Sequence, residues 1–438
     1  LPLGWEEPCP PPATDLWFVG GRVLPMDDLS VIEDGVVHVR GDRILAVGTR
    51  AEVPVPEGAA VVDAAGMTVM PGLVDVHSHH GSSGGGVHSR RSWALEAMLA
   101  YGVTTIHDPS NDTRMFHAEA EMVRAGLRTG PRMLSTGTIL YGAEGDFRAV
   151  VDSPEDAAEA VRRTVAWGGR SVKSYNQPRR EQRQQIQRAC RDLGVMDFPE
   201  GGSTLPWNLT QILDGHTTVE HAIPVAPLHG PERGLFAASG TCYTPTLNVG
   251  YGGLWGENFW YARTRVWEDA KLLRWVPRSV VDPRARRRVV PSDAEEYHHV
   301  ILSRTAADLL RAGVNVEVGA HGQMQGLGTH WEAWSLAQGG MTNHEALRCA
   351  TSGGARALCL EGEIGALRPG RLADVVVVEG DPLREIRDSA RVRWTMVGGR
   401  LFDARTLEQV APDRVPLPEG PDLDTIDGEA ANSRCACE

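Results

Sequence analysis

Lysine is almost absent from this sequence. Of the 44 basic residues, only Lys173 and Lys271 are lysines, and all the others are arginines. A GC-rich coding sequence favours arginine codons and explains the general bias. Lysine is nevertheless present at two positions, and the surroundings of each lysine decide whether it has a functional role.

Other absences exclude whole classes of protein. There is no uninterrupted apolar run of about 18 residues, so no membrane span is predicted, and the amino terminus lacks the pattern of a signal peptide. The formal net charge of −13 excludes the basic footprint of a nucleic-acid or anionic-membrane binder. Seven scattered cysteines fit a reducing compartment better than a disulfide framework. We therefore expect a cytoplasmic protein without nucleic-acid or membrane partners.

The two ends of the chain share a β-rich texture. Short apolar segments separated by glycine and aspartate turns occur over 15–70 and return over 363–410. This pattern predicts a small composite β-sandwich built from both ends. A proline-rich arm (1–14) and a tail (411–438) flank it.

The middle of the chain, 71–362, alternates strand-like and helix-like segments. Eight βα units over this length predict a TIM-like (β/α)8 barrel, an α/β fold. A tryptophan- and arginine-rich insertion at 249–296 is expected to be either a lid or an accessory helical patch. The candidate strands span 73–77, 103–108, 132–136, 171–175, 195–199, 218–222, 243–248 and 315–320.

Polar side chains follow several of these strands. His77 and His79, two residues apart at the end of the first strand, point to the same side. The carboxyl ends of barrel strands meet at one face, where such folds carry out chemistry. Imidazole and carboxylate groups on separate strands suit a zinc-type site with an open coordination position. The fourth, fifth, sixth and eighth strands contribute Lys173, Glu200, His221 and His321.

Several motifs resemble one known family. Segment 71–79 resembles the signature of the metal-dependent amidohydrolase superfamily, and 365–374 resembles the segment with which its members re-enter their small β domain. Segment 102–105 extends the resemblance. Segments 173–180 and 321–323 are similar to the branch found fused behind TolB-like propellers, although no propeller is present. A narrower expectation is a resemblance to the bottromycin-type follower-peptide amidohydrolases.

The resemblance implies a ligand set and a role for one lysine. The metal ligands would be His77, His79 and His221. Lys173 occupies the position of a lysine that many members carbamylate to bridge two metals. A plain ammonium that stabilises an oxyanion, or an ordinary ion pair, is the alternative for this side chain.

Two positions depart from the family pattern. Phe198 stands where the fifth-strand histidine is usual, with Glu200 two residues later, and His321 replaces the eighth-strand aspartate. We therefore expect one zinc ion rather than two, with Glu200 or Lys173 completing its ligand shell. His321 is the expected general base, since histidine titrates near neutral pH, and Glu200 is the alternative base.

These expectations combine into a zinc-dependent hydrolase of a C–N amide bond in a peptide-like or N-acyl amino acid substrate. A narrower form is the trimming of a follower peptide in natural-product biosynthesis. Two alternatives are a deaminase or cyclic-amidine hydrolase that uses the same metal water, and a non-catalytic scaffold. The macromolecular partners that remain as expectations are a peptide substrate and a second copy of the chain in a homo-oligomer. The candidate substrate contacts are His107, Tyr175, Arg179 and His330.

Overall fold

The computed structural model describes residues 12–81, 88–141, 148–175, 179–250, 253–288, 293 and 296–420. Most of the predicted amino-terminal arm and the tail beyond residue 420 lie outside these residues. Within the described ranges, no helix is both long and apolar enough to cross a membrane.

The secondary structure alternates β and α elements through the middle of the chain and is β-rich at both ends. The strands are β1 Asp15–Val23, β2 Ile32–Arg40, β3 Arg43–Thr49, β4 Val61–Asp63, β5 Met67–Pro71, β6 Leu73–Asp75, β7 Val103–Asp108, β8 Arg132–Ser135, β9 Ile139–Tyr141, β10 Arg148–Val150, β11 Ser171–Val172, β12 Met196–Asp197, β13 Thr218–Glu220, β14 Cys242–Thr244, β15 Val375–Glu379, β16 Val392–Val397, β17 Arg400–Asp403 and β18 Gln409–Ala411. The α-helices are α1 Trp93–Ala100, α2 Thr113–Arg124, α3 Pro154–Ala166, α4 Arg180–Leu193, α5 Leu205–Asp214, α6 Gly230–Ser239, α7 Gly256–Arg263, α8 Ala270–Trp275, α9 Arg278–Ala285, α10 His299–Arg311, α11 Leu327–Gln338, α12 Asn343–Arg348 and α13 Gly354–Ala357.

Both ends of the chain contribute to one nine-stranded sheet. Its order is β18-β17-β16-β15-β5-β1-β2-β3, and β4 pairs with β1. The sequence predicted a small composite β-sandwich built from both ends, and the described strands of both ends join in a single hydrogen-bonded sheet. Val37 of β2 and Leu401 of β17 lie near opposite edges of the sheet yet belong to the same buried cluster. The sheet therefore bends over one core instead of stacking on a second sheet.

The middle of the chain is TIM-barrel-like. Strands β6, β7 and β8 are parallel neighbours, and β11–β12 and β13–β14 form further parallel pairs. The first and eighth segments are joined by a bond from the Val76 N–H to the Val318 carbonyl. The predicted eighth strand, 315–320, forms only a single bridge at Val316. At the end of this segment, the Ala320 N–H donates to the Asp75 side chain instead of to a neighbouring strand.

The insertion is helical and packed. Helices α7 and α8 bury aromatic side chains against α1 and α11, and α9 adds Val280 and Val281 to the same cluster. The Trp260 indole donates to the Ser335 hydroxyl at 2.9 Å. Arg284 donates to the Gly322 carbonyl at 2.9 Å, and Arg287 donates to the Gln323 side chain at 2.9 Å. The described part of the insertion thus braces the loop that follows the eighth segment.

A buried ion pair ties the barrel to the β domain. Arg132 and Asp374 are both nearly inaccessible to solvent, and the guanidinium also donates to the Thr105 hydroxyl at 3.1 Å. We expect Arg132→Met to lower the free energy of unfolding by about 3 kcal/mol, because it leaves a buried carboxylate without its cation. Arg124→Met, which breaks an exposed pair with Glu121, should cost less than about 1 kcal/mol. Equal losses in denaturant unfolding would contradict a structural role for the buried pair.

Candidate metal centre

Four histidines converge where the barrel strands end. The His77 ring lies 5.0 Å from the rings of His79 and His321 and 4.8 Å from that of His221. The ligand atoms of His77, His79 and His321 all lie within 4.8 Å of one another. The structure therefore brings together the four histidines that the sequence analysis assigned to the metal ligands or the general base. It groups His321, the expected base, with the ligands of the first strand.

Close backbone packing holds this group together. The His321 N–H donates to the His77 carbonyl at 2.7 Å, with His321 in the left-handed region at φ 57°. A Cβ on Gly322 would lie 2.2 Å from the His79 carbonyl oxygen, and one on Gly319 would lie 2.5 Å from the His77 Cβ. Because neither position tolerates a side chain, the eighth segment can approach the end of the first strand.

Carboxylates orient the first two imidazoles. The His77 Nδ1 lies 2.5 Å from Glu220, and the His79 Nδ1 lies 3.1 Å from Asp108. An Nδ1–H that donates to a carboxylate leaves the lone pair on Nε2. The His77 Nε2 is buried and has no hydrogen-bond partner among the described residues. Burial, followed by the charge of Lys173, lowers the pKa of His77 well below its ordinary value, which keeps the ring in the neutral form that binds metals.

Two glutamates that the sequence analysis missed lie beneath the histidines. The Thr244 hydroxyl is 2.9 Å from Glu220 and 3.1 Å from Glu317. One hydroxyl hydrogen cannot serve both carboxylates. Burial raises the pKa of Glu220 to about 7, and burial together with the charge of Glu220 raises that of Glu317 well above its ordinary value. Both shifts favour the neutral form of the carboxyl group, and the second oxygen of Glu220 faces His77.

Lys173 and Glu200 form an ion pair beside the histidines. The Lys173 Nζ lies 2.5 Å from one Glu200 oxygen, and the His221 Nε2 lies 3.0 Å from the other. Burial raises the pKa of Glu200, but Lys173 and His221 outweigh it and bring that pKa well below the ordinary value. Phe198, at the place of the family's usual histidine, is fully buried and lies 4.3 Å from the His107 ring. Glu200 is thus the ionised group that the fifth strand presents.

A second chain of buried charges stands behind His79. His80 lies between Asp108 at 3.3 Å and Glu119 at 3.0 Å, and Glu119 pairs with Arg128. Burial lowers the pKa of His80, but hydrogen bonds to the two carboxylates outweigh burial and raise it to about 10. The sequence signal for this cluster was the pair of consecutive histidines, His79 and His80. Nothing in the sequence indicated that His80 contacts helix α2.

Comparisons with known proteins fit this geometry. Residues 300–402 match the Amidohydrolase family. Ochratoxinase from Aspergillus niger is 26% identical over 409 residues, covering 83% of this chain and 82% of that protein. The imidazolonepropionase of Sphingopyxis alaskensis is 29% identical over 171 residues, which cover 29% of this chain and only 42% of that protein.

These matches support the amidohydrolase superfamily. Its matched relatives are hydrolases acting on C–N bonds. Among solved structures, the putative prolidase from Bifidobacterium longum has a TM-score of 0.69 at 21% identity and covers 96% of this chain and 100% of that chain. The crystal structure of A. niger ochratoxinase has a TM-score of 0.67 at 19% identity and covers 90% of this chain and 96% of that chain. These two likenesses show that the fold is shared with amidohydrolase-type structures.

The predicted substrate contacts are scattered. The His107 nitrogen atoms lie 2.9 Å from the Val76 carbonyl and 2.9 Å from the Ser171 hydroxyl, and those of His330 are engaged by Tyr101 and Ser389. That His107 and His330 contact the substrate remains a prediction. The structure does not favour it, because the ring nitrogens of both side chains are already engaged. The ring of Tyr175 lies 5.7 Å from the Lys173 Nζ, whereas Arg179 is largely exposed, 3.8 Å from Asp152.

The carboxylate behind His79 provides a test of the site. Asp108→Asn is expected to weaken zinc binding by about 10- to 100-fold, because the amide holds His79 and His80 less firmly than the carboxylate does. The measurement is a chelator competition at fixed pH, with far-UV circular dichroism as a check on folding. Asp63→Asn changes an exposed aspartate in the β domain and is the matched control. Equal zinc affinity in both variants would show that Asp108 does not orient a ligand.

Proposed function

We propose that this chain is a zinc-dependent amidohydrolase that cleaves a C–N amide bond in a peptide-like or N-acyl amino acid substrate. The observation that carries the proposal is the convergence of His77, His79 and His321, with the His77 Nε2 buried and unpartnered. Neutral imidazoles held by carboxylates are suitable zinc ligands. The proposal includes a cytoplasmic location and, in its narrower form, trimming of a follower peptide.

Zinc ligation is assigned to His77, His79 and His321, with His221 alongside. When bound, Zn2+ lowers the pKa of its water to about 7 and polarises a carbonyl oxygen. This assignment moves His321 from the expected base to the ligand set, because its ligand atoms group with those of the first strand. The general base is then Glu200, the alternative that the sequence left open.

Glu200 is the ionised carboxylate at this site and can therefore accept a proton. It lies between the Lys173 ammonium and the His221 imidazole. In the proposed reaction it accepts a proton from the attacking water and returns that proton to the leaving nitrogen. Lys173, buried with it, donates to the oxygen on which negative charge develops. A carbamylated Lys173 that bridges a second zinc ion is the alternative and is tested below.

The comparisons also favour a second candidate, hydrolysis of a ring C–N bond or deamination. The 5-methylthioadenosine/S-adenosylhomocysteine deaminase of Symbiobacterium thermophilum is 48% identical over 61 residues, which cover 14% of each protein. Imidazolonepropionases match over longer segments. Deamination releases ammonia, whereas amide hydrolysis yields a carboxylate and an amine, so the products separate the two candidates.

The deciding experiment combines metal analysis with product profiling. Protein expressed in zinc-supplemented medium should retain about one equivalent of zinc and cleave members of a panel of N-acyl amino acids and short peptides, as followed by mass spectrometry. Two equivalents would assign a second ion to Lys173, Glu200 and His221. Zinc-free protein with no cleavage would refute the proposed function, and ammonia release without amide cleavage would favour the second candidate.

A further inference from the structure

Lys271 is the second of the two lysines, and the metal centre does not use it. It lies on α8 in the insertion, where its Nζ donates to the Ala390 carbonyl at 2.9 Å and sits 4.3 Å from the centre of the Tyr101 ring. It lines a cavity of about 530 Å³ between the insertion, the barrel helices and the β domain. Cavities of roughly 300–1,000 Å³ hold small molecules.

The cavity walls contain buried donors that have no acceptor. The Tyr101 hydroxyl and the indole nitrogens of Trp275 and Trp331 are buried and have no hydrogen-bond partner among the described residues. An indole N–H can only donate, and a buried phenol can donate its hydrogen. Burying such groups without partners is costly. A ligand acceptor that reached these atoms from the cavity would complete their hydrogen bonding, and the aromatic side chains around them would pack against a flat apolar body.

The charge of the lining favours an anion. Arg265, Lys271, Arg274, Arg391 and Arg405 supply five cationic groups against the carboxylates Asp269 and Glu379. Asp269 caps the amino end of α8, while Arg265, Arg391 and Arg405 pair with Glu268, Asp388 and Glu379. Lys271 and Arg274 are the lining cations without an ion pair among the described residues. Burial lowers the pKa of Lys271 to about 7 despite the opposing effect of Asp269 and Glu379. An anion in the cavity would stabilise its ammonium form.

The cavity is separate from the metal centre. Tyr101 lies two residues before the first residue of β7, and Asp108, behind His79, is the last residue of that strand. A six-residue strand spans about 20 Å. The Lys271 cavity and the histidines are therefore at opposite ends of the same strand.

We propose that the Lys271 cavity is an accessory binding site for a small aromatic carboxylate. The carboxylate accepts from Lys271 and from the unpartnered phenol and indole donors, and the ring packs against the tryptophan side chains. The proposal does not rest on the reaction at the metal centre, and it stands or fails independently of it.

The scarcity of lysine makes the site directly observable. Protein labelled with 13C at the lysine Cε has two lysine signals, and Lys271→Met assigns them. Addition of benzoate should shift the Lys271 signal and leave the Lys173 signal in place, whereas neutral benzamide and ring-free acetate should have far weaker effects. A shift confined to Lys173 would place benzoate at the metal centre and overturn the proposal, as would the absence of any shift.

Two variants separate binding from folding. Tyr101→Phe removes only the unpartnered hydroxyl, so we expect a higher Tm without ligand and about fivefold weaker benzoate binding, followed by tryptophan fluorescence. Lys271→Met should weaken binding by about tenfold or more, while Arg233→Met makes the same change of charge at an exposed site and should have no effect. If Lys271→Met does not fold, Tyr101→Phe still decides the question. Unchanged benzoate affinity in Tyr101→Phe would overturn the assignment of its hydroxyl to the site.

Discussion

Replacing His321 with asparagine is expected to abolish zinc retention and to lower kcat/KM for amide cleavage by about a thousandfold or more, because it removes one of three grouped imidazoles. Asparagine suits the position, since it tolerates the left-handed backbone at φ 57° better than most residues do. The readouts are zinc content after dialysis and initial rates with the best substrate of the panel.

The control for this variant is His229→Asn, which changes an exposed histidine before α6 and should retain both zinc and activity. Thermal unfolding of both variants checks that the fold survives. A His321→Asn protein that binds zinc normally yet loses activity would restore His321 to the role of general base. A variant with normal zinc content and normal activity would show that His321 has no role in the site.

Replacing Lys173 with alanine is expected to lower kcat/KM by about a hundredfold or more, since it deletes the cation that faces Glu200 at the site of chemistry. It also leaves the Glu200 carboxylate buried without the Lys173 cation, so the free energy of unfolding should fall by about 3 kcal/mol. Lys271→Ala is the matched lysine control and should leave kcat unchanged, because the cavity that it lines lies at the far end of β7.

Chemical rescue of Lys173→Ala distinguishes the two forms of this lysine. If the working group is an ammonium, small alkylamines should restore the activity of the variant without changing the ionisation of other groups. If it is a carbamate that bridges metals, short carboxylic acids should restore activity together with a second equivalent of zinc. Full activity of Lys173→Ala without any additive would contradict both roles.

Local sequence patterns were sufficient to find the strand ends that carry the site. The two-residue spacing of His77 and His79 placed both imidazoles on one side of the first strand. The intervals between Lys173, Glu200 and His221 matched successive βα units. Strand β7 has the bounds 103–108 that the sequence predicted, since an apolar run and its flanking turn signals are local properties.

Other features depend on contacts between segments far apart in the chain. Glu220 and Glu317 come from different strands and meet at the Thr244 hydroxyl, and His80 gains its carboxylates from β7 and α2. His330 follows the eighth segment in sequence, yet its ring points to Tyr101 and Ser389. Sequence spacing could not show which way such side chains point.

The sequence by itself determined which groups this protein holds at its barrel mouth and singled out its two lysines. Only the tertiary structure decided which groups lie together: His321 with His77 and His79, Glu200 with Lys173, and Lys271 at a separate cavity. The physical reason is that residue types follow from local sequence, whereas burial, charge pairing and the direction of a hydrogen bond are set by neighbours from distant strands and helices.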